Sequence, residues 1–223
     1  MTNPPCDERE LLQRARALAG RRLRDIAAEL RMDVPADLHR NKGWIGELME
    51  QVLGASASSL PQPDFPHLGI ELKTLPIDAR GRPRESTYVC TVPLEEAVGE
   101  SWETSWVRRK LARVLWVPVQ ADPSIALAER RVGTALLWSP DAQEEARLRR
   151  DYEDLMELVY TGQLDRISAH FGEVMQIRPK APHGRARRRA LGTDGARVLA
   201  NPRGFYLRAS FTAAILERHY AAG

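Results

Sequence analysis

Hydrophobic residues recur at spacings of three and four over the first fifty residues, which is the pattern of amphipathic helices. The spacing predicts helices over residues 7–19, 23–32 and 44–53, with Gly20 interrupting the chain between the first two. Later hydrophobic segments are short and bounded by turn residues, which is typical of strands. These segments cover residues 68–75, 87–92, 114–119, 132–138 and 204–207.

A longer helix is predicted to begin near residue 140. Ser139 suits its N-cap, Pro140 its first turn, and the charge of Asp141 complements the positive helix end. A final helix is predicted over residues 210–220, and residues 77–83 are expected to form a hairpin connection between the first two strands. Together these elements predict an α/β fold in which helices flank a small mixed β-sheet.

The composition excludes several classes of protein. The 223 residues are 43% hydrophobic and 28% charged, which is ordinary for a soluble globular chain of one generous domain or two small lobes. No apolar run approaches the roughly 18–20 residues that span a bilayer, and the first residues lack the features of a secretory signal. Cys6 and Cys90 are the only cysteines, which argues against a disulfide framework. We therefore expect a cytoplasmic protein with no membrane partner.

The charge is unevenly distributed around a net value of +3. Residues 175–223 carry ten Arg or Lys and two acidic residues, so this quarter has a net charge of +8 and the remainder −5. A basic segment on an acidic body indicates a polyanionic partner. From charge alone, a solubilising tail is the alternative.

The first predicted strand contains the candidate chemistry. Ile70 and Leu72 alternate with Glu71 and Lys73, so the two charged side chains share one face, which we expect to be solvent-facing. Asp64 lies seven residues before Glu71. Carboxylates suit Mg²⁺, and a lysine nearby can orient a water or neutralise charge on a phosphoryl group. The Asp-x₆-Glu-x-Lys spacing is that of restriction-endonuclease-like nucleases, and the alternative is a surface salt pair.

Longer blocks around this spacing resemble the MutH and Sau3AI-type family of mismatch-repair and restriction endonucleases. They include KGWIGELME at residues 42–50, LGIELKT at 68–74 and QIRPKA at 176–181, and further blocks at 53–57, 81–83, 102–105, 107–111, 113–119, 130–133, 137–140 and 202–207. The blocks follow the family order over essentially the whole chain, and a single copy in 223 residues is more similar to the MutH branch.

The resemblance implies a restriction-endonuclease-like fold, in which helices flank a mixed β-sheet core and two lobes form a DNA-binding cleft. A catalytic lobe is expected over about residues 1–110 and a DNA-recognition lobe over about residues 111–223. In this arrangement, the nuclease is one domain with two lobes.

The resemblance also assigns catalytic roles. Asp64, Glu71 and Lys73 match the family's catalytic triad, in which the two carboxylates bind the metal ion. Glu50 matches an additional acid near the metal, and Lys110 matches a second active-site lysine. Without the resemblance, Glu50 reads as a solvated residue on a helix face and Lys110 as part of a basic helix.

DNA contacts follow from the resemblance in the same way. Lys42 and Gly43 match a DNA-contacting turn, while Arg178, Pro179 and Lys180 match a recognition loop that enters the major groove. An arginine can read guanine with two hydrogen bonds, which supports a base-reading role for Arg178 independently.

Two tyrosines and an arginine cluster complete the implied DNA interface. Tyr206 matches the tyrosine that responds to adenine methylation, its alternative being a core aromatic residue. Tyr88 stands where the family often has phenylalanine. The arginines at residues 185–189 make this loop more basic than in the family, and we expect them to bind phosphates.

The activity implied by the resemblance is methyl-directed mismatch repair. A monomer would use Mg²⁺ to nick the unmethylated strand of double-stranded DNA at hemimethylated GATC sites. Its activator would be MutL, itself recruited by MutS. The alternatives are a restriction-type enzyme that cuts both strands, which requires a dimer or a second catalytic copy, and a non-catalytic DNA-binding module.

Overall fold

The computed structural model of the chain describes residues 2–38, 41–57, 62–94, 100–168, 170–180 and 186–221. The chain divides into two compact units, each built from separate stretches. The first comprises Met1–Arg84, Ala112–Ser139 and Glu217–Gly223, and the second comprises Glu85–Leu111 and Pro140–Leu216. The lobe division expected from the sequence had a single boundary near residue 110, whereas these units interleave along the chain.

Six α-helices and eight β-strands lie in the described part of the chain. The helices are α1 (Glu8–Ala17), α2 (Leu23–Glu29), α3 (Trp44–Leu53), α4 (Trp106–Leu111), α5 (Ala142–Tyr160) and α6 (Ala209–Ala221). The strands are β1 (Glu71–Ile77), β2 (Thr87–Thr91), β3 (Val114–Gln120), β4 (Leu136–Trp138), β5 (Met175–Pro179), β6 (Arg188–Leu191), β7 (Arg197–Ala200) and β8 (Arg203–Leu207). The mixed α/β class predicted from the hydrophobic pattern is confirmed.

A three-stranded mixed sheet organises the first unit. β3 lies at its centre, parallel to β1 and antiparallel to β4. Residues 114–119 of β3 are all buried, as expected for a strand covered on both faces. Side chains of α1, α2 and α3 pack with β1 and β3 in one hydrophobic core, which includes Leu11, Ile26, Leu48, Ile70 and Leu115.

The second unit contains an antiparallel sheet in the order β2-β8-β5 and a separate hairpin of β6 and β7. The 19-residue helix α5 packs against β5. The buried carboxylate of Asp151 on α5 accepts the backbone N–H groups of Glu173, Val174 and Met175 at 2.6–2.9 Å. Asp151 therefore fixes the start of the strand that contains Arg178.

The predicted hairpin at residues 77–83 and the predicted N-cap of α5 are both wrong. Residues 77–83 form a tight turn, in which Asp78 accepts the N–H groups of Arg80 and Arg82. This turn does not make a hairpin of β1 and β2, because these strands belong to different sheets. The N-cap of α5 is Asp141, which accepts the N–H of Glu144 at 2.8 Å, and Ser139 instead donates to a backbone carbonyl.

Strand boundaries also differ from the prediction. β1 begins at Glu71 because residues 65–70 form a turn, and β4 is limited to Leu136–Trp138. Arg188–Leu191 form strand β6 where a basic loop was expected, and Arg185 of the predicted arginine cluster lies outside the described residues. Within the ranges that the structure describes, no helix is both long and apolar enough to cross a membrane.

Candidate active site and nucleic-acid interface

A tight turn brings Asp64 to the start of β1. Phe65 and Ile70 exchange backbone hydrogen bonds of 2.9 and 3.3 Å and form an antiparallel bridge. The bridge folds the chain back on itself, so Asp64 lies close to the start of β1 although Glu71 is seven residues further along the sequence. One oxygen of Asp64 accepts the N–H of Leu72 at 2.7 Å, which holds the carboxylate beside the strand.

Glu71 and Lys73 form a buried ion pair on β1. The Lys73 Nζ lies 3.1 Å from Glu71 Oε1, and the two residues are only 8% and 4% exposed. The expected solvent-facing position is wrong, as is the surface salt pair, because Glu71, Leu72 and Lys73 are all buried and β1 is therefore covered on both faces. Burial in a medium of lower dielectric constant strengthens this attraction relative to a pair in water.

The last turn of α3 contains Glu50, which is half-buried, and α3 packs against β1. In the described ranges, no three His, Cys, Asp or Glu side chains are grouped so that they could hold a metal ion. Glu50 is thus not grouped with Asp64 and Glu71 as a third ligand. Its role as an additional acid near a metal ion stays a prediction.

Asp64 and Glu71 provide a donor set that fits Mg²⁺. This ion typically takes one or two carboxylates and completes its octahedral shell with waters and substrate phosphate oxygens. The carboxylate of Asp64 is oriented by the Leu72 N–H, and that of Glu71 by Lys73. Asp64 and Glu71 are thus the residues that could hold a divalent cation, with Lys73 beside them.

Lys42 and Gly43 are exposed immediately before α3. Gly43 occupies the N-cap position, where its carbonyl oxygen accepts the N–H of Glu47 at 3.0 Å. The predicted DNA-contacting turn is therefore at the surface of the first unit, and its contact with DNA stays a prediction.

Four side chains of the predicted DNA interface converge on the sheet of the second unit. Tyr88 and Tyr206 pair across β2 and β8, with ring centroids 5.4 Å apart in an edge-on arrangement. The Arg178 guanidinium carbon lies 5.7 Å from the Tyr206 ring centroid, and Lys180 Nζ lies 2.9 Å from that of Tyr88. We call these four residues the recognition cluster. Pro179, between its two basic residues, ends β5.

The backbone of Gly204 makes room for this cluster. A Cβ atom at Gly204 would lie 2.8 Å from Cε2 of Tyr88, closer than real contacts allow, and 3.2 Å from Cε2 of Tyr206, which is a tight contact. Arg178 is also held by Ser86, whose hydroxyl accepts from Nη1 at 2.7 Å. Sequence reasoning missed Gly204 and Ser86, because their roles depend on a strand register that no local pattern encodes.

Tyr206 is half-buried, whereas its neighbours Phe205 and Leu207 are completely buried. Adjacent strand residues point to opposite faces, so the neighbours fill the core and Tyr206 lies on the other face. Its alternative reading as a core aromatic residue is therefore wrong.

Both tyrosines of the cluster have pKa values raised above the ordinary one. Burial is the main cause for each; for Tyr206, the proximity of Tyr88 adds to the effect and Arg178 opposes it. A tyrosine hydroxyl is protonated at neutral pH even at its ordinary pKa, and the raised pKa extends the protonated state to more alkaline pH. Both hydroxyls can therefore lie near DNA without adding negative charge.

Lys110 belongs to the second unit and lies on α4, which packs against β2. Its Nζ is 5.4 Å from the Trp106 ring centroid, and its charge lowers the pKa of Tyr88 as one of the smaller effects on that group. The structure thus places Lys110 near the recognition cluster. Its role as a second active-site lysine stays a prediction.

The first unit contains a candidate active site of Asp, Glu and Lys, and the second contains a basic, aromatic surface suited to DNA. These two features together are typical of enzymes that act on DNA. Residues 53–151 match the family model described as DNA mismatch repair enzyme MutH. The chain is 54% identical over 217 residues to the DNA mismatch repair protein MutH of Serratia proteamaculans (strain 568), covering 97% of this chain and 95% of that protein. It is 53% identical over 220 residues to the MutH protein of Klebsiella pneumoniae (strain 342), covering 99% and 95%.

A third relative, the MutH protein of Salmonella newport (strain SL254), is 54% identical over 220 residues, covering 99% of this chain and 95% of that protein. The chain therefore belongs to the MutH family of DNA mismatch repair enzymes. The resemblance inferred from the sequence blocks is confirmed.

Proposed function

We propose that this protein is a Mg²⁺-dependent endonuclease that nicks the unmethylated strand of hemimethylated GATC sites during mismatch repair. The observation that carries the proposal is the site at β1, where the Asp64 carboxylate accepts the N–H of Leu72, next to Glu71, and Glu71 is paired with Lys73. A site that only binds DNA has no need of two carboxylates, because their charge repels phosphate.

Asp64 and Glu71 would hold the cation at the strand start. When bound, Mg²⁺ supplies polarisation of the scissile phosphate and lowers the pKa of the attacking water. Lys73 donates a hydrogen bond towards this centre, where it can orient the water or stabilise charge that develops on the phosphate. The hydrogen bond from the Leu72 N–H keeps Asp64 from rotating away.

The recognition cluster supports sequence reading by the second unit. Arg178 can donate two hydrogen bonds to guanine, and Lys180 can bind phosphate. Tyr206 on the same sheet face would contact the adenine edge that carries an N6-methyl group. Because the GATC palindrome can be approached in two orientations, a methyl group on one strand leaves one orientation allowed, and a single catalytic centre then cuts the unmethylated strand.

Further parts of the proposal rest on the family alone. They are a DNA-binding cleft formed by two lobes, activation by MutL after recruitment by MutS, action as a monomer, and work in the cytoplasm. The proposal also keeps the roles predicted from the resemblance: active-site residues for Glu50 and Lys110, and a DNA-contacting turn for Lys42 and Gly43.

Strand-specific cleavage tests the proposal directly. Duplexes with one GATC site, each strand carrying a different label, would be incubated in unmethylated, hemimethylated and fully methylated forms, with Mg²⁺ or EDTA and with or without MutL. We expect Mg²⁺-dependent nicks on the unmethylated strand, more of them with MutL, and almost none on fully methylated DNA. Double-strand breaks as the first product would instead favour the restriction-type alternative, and intact DNA under every condition would refute the proposal.

A further inference from the structure

The hairpin of β6 and β7 presents one strongly basic face. Arg189 pairs with Leu199, and the same register places Arg187 opposite Asn201 and Leu191 opposite Arg197. Because side chains alternate along a strand, Arg187, Arg189, Arg197 and Leu199 share one face. All four are exposed, and we call them the ribbon face.

On the opposite face of the hairpin, Ala190 packs against the protein, while Arg188 and Val198 are exposed. Ala190 is only 1% exposed. At the turn, the backbone of Gly192 lies so close to Gly162, which follows α5 with a φ of +70°, that a Cβ at Gly162 would collide with it. Arg187 donates to the side-chain oxygen of Asn201 at 2.6 Å across the open end of the hairpin. These contacts fix the position of the ribbon face on the second unit. A tail that serves only solubility would need no such fixed position.

Leu199 is unusual for a surface residue. It is 72% exposed, and the large hydrophobic residues exposed in the described part of the chain are only Val198, Leu199 and Tyr220. Val198 and Leu199 are consecutive on β7 and point to opposite faces of the hairpin, so Leu199 alone belongs to the ribbon face. The groove of a DNA duplex has charged phosphates along its edges and less polar sugars and base edges along its walls. A surface with an apolar side chain between arginines is complementary to such a groove.

We propose that the ribbon face is a second DNA-binding surface, in which the three arginines contact phosphates and Leu199 packs against the sugars of the adjoining groove. This rests on the proposed function in taking duplex DNA as the partner. The positive charge of the three arginines is complementary to the negative charge of DNA. The acidic residue of the hairpin, Asp194, does not offset this charge on the ribbon face, because it lies in the turn and accepts a backbone N–H there. A two-stranded β-ribbon also fits within the major groove of B-DNA. Because the side chains of the ribbon face contact the sugar-phosphate backbone of DNA, this surface adds affinity without reading the base sequence.

Binding of duplexes over a range of salt concentrations tests the inference. The double variant Arg189→Ala, Arg197→Ala is compared with the wild type and with Arg150→Ala, which removes an exposed arginine from α5. Fluorescence anisotropy would use a GATC duplex and a scrambled duplex in Ca²⁺ or EDTA to prevent cleavage. Thermal unfolding of each variant checks the fold, and the exposed positions predict melting temperatures close to that of the wild type.

We expect the double variant to bind both duplexes more weakly, by on the order of tenfold, while Arg150→Ala binds as the wild type does. The slope of log K against log salt concentration should fall by about 0.9 for each phosphate contact removed. Leu199→Ser should weaken binding without changing this slope, because it removes no charge.

Unchanged binding and salt dependence in a folded double variant would overturn the inference while leaving the proposed nuclease intact. A wild-type protein that binds DNA but never nicks it would instead overturn the proposed function, and the binding comparison would still decide the role of the ribbon face. If the variants bind and nick naked DNA normally but lose stimulation by MutL, the face binds a protein and the DNA assignment is wrong.

Discussion

The candidate active site and the recognition cluster use positive charge in opposite ways. Lys73 is buried in an ion pair with Glu71, whereas Lys180 and Arg178 are exposed and lie against the rings of Tyr88 and Tyr206. Breaking a buried pair by removing one partner costs about 3–5 kcal/mol, while an exposed cation–π contact contributes about 0.5–1 kcal/mol. Chemistry at a phosphate needs a charge with a fixed position, and recognition needs contacts that DNA can replace at little cost.

Replacing Glu71 should have the largest effect and tests the buried side of the comparison. Both Glu71→Gln and Glu71→Ala should reduce nicking at least about a hundredfold, because each removes a carboxylate that we propose holds the metal ion. Both variants should also lower the free energy of unfolding, because each leaves the buried Lys73 without its counter-charge. The loss should reach about 3–5 kcal/mol in Glu71→Ala and be smaller in Glu71→Gln, which keeps a hydrogen-bond acceptor. Denaturant unfolding alongside the cleavage rate measures both effects. Near-normal nicking by Glu71→Gln would show that the active-site assignment is wrong.

Substitutions of Asp64 distinguish the effect of its negative charge on nicking from the effect of its hydrogen bond to the backbone on stability. Asp64→Asn keeps an oxygen that can accept the Leu72 N–H, so we expect nearly normal stability with nicking lost. Asp64→Ala should lose nicking and about 1–3 kcal/mol of stability, because the N–H is left without its side-chain acceptor. Urea titrations would compare the two variants. Equal stability of both would mean that this hydrogen bond does not hold the strand start.

On the exposed side of the comparison, the two basic residues of the recognition cluster should differ from each other. Arg178→Ala should reduce the discrimination between GATC and near-cognate duplexes by about 1–3 kcal/mol, as expected for a base-reading arginine. Lys180→Ala should weaken binding to every sequence equally and reduce its salt dependence. Competition binding on matched duplexes measures both. An equal loss for cognate and scrambled DNA in Arg178→Ala would make Arg178 a phosphate contact.

Tyr206 allows methyl sensing to be separated from stability. Tyr206→Ser should narrow the gap between the cleavage rates of hemimethylated and fully methylated DNA. Its melting temperature should fall only modestly, because the ring is half-buried on a sheet face. Tyr206→Phe serves as the control that keeps the ring and its contact with Tyr88. A stable Tyr206→Ser variant with unchanged methyl discrimination would end the sensor hypothesis.

The smallest predicted effect is the pH dependence of stability. Burial and the nearby Glu100 carboxylate raise the pKa of Tyr152 in the folded state well above its ordinary value. A raised pKa contributes stability that is complete below the unfolded-state pKa of about 10 and is lost as the pH rises above it, since the unfolded chain then releases the proton first. Melting temperatures from pH 8 to 11 should therefore fall less steeply for Tyr152→Phe than for the wild type. Parallel curves would contradict the assigned burial.

The parts predicted best from the sequence are those that local patterns encode. The three N-terminal helices follow from apolar spacing and are confirmed. The Asp-x₆-Glu-x-Lys spacing and its family blocks also single out the candidate catalytic residues, whose roles stay predictions. The prediction that Glu71 and Lys73 face solvent is wrong, because alternation shows that two residues share a face without showing what covers that face. The hairpin of β6 and β7 was missed because its arginines were read as loop residues.

By itself, the sequence determined the family, the identity of the candidate residues and most of the helices, because these depend on residue types and short spacings. Only the tertiary structure decided which strands pair, that the ion pair on β1 is buried, and that Arg178, Lys180, Tyr88 and Tyr206 meet on one sheet face. Tyr88 and Tyr206 are separated by more than a hundred residues of chain, and their contact exists because β2 pairs with β8. Strand register between distant segments depends on the burial of the whole core, which no local pattern contains.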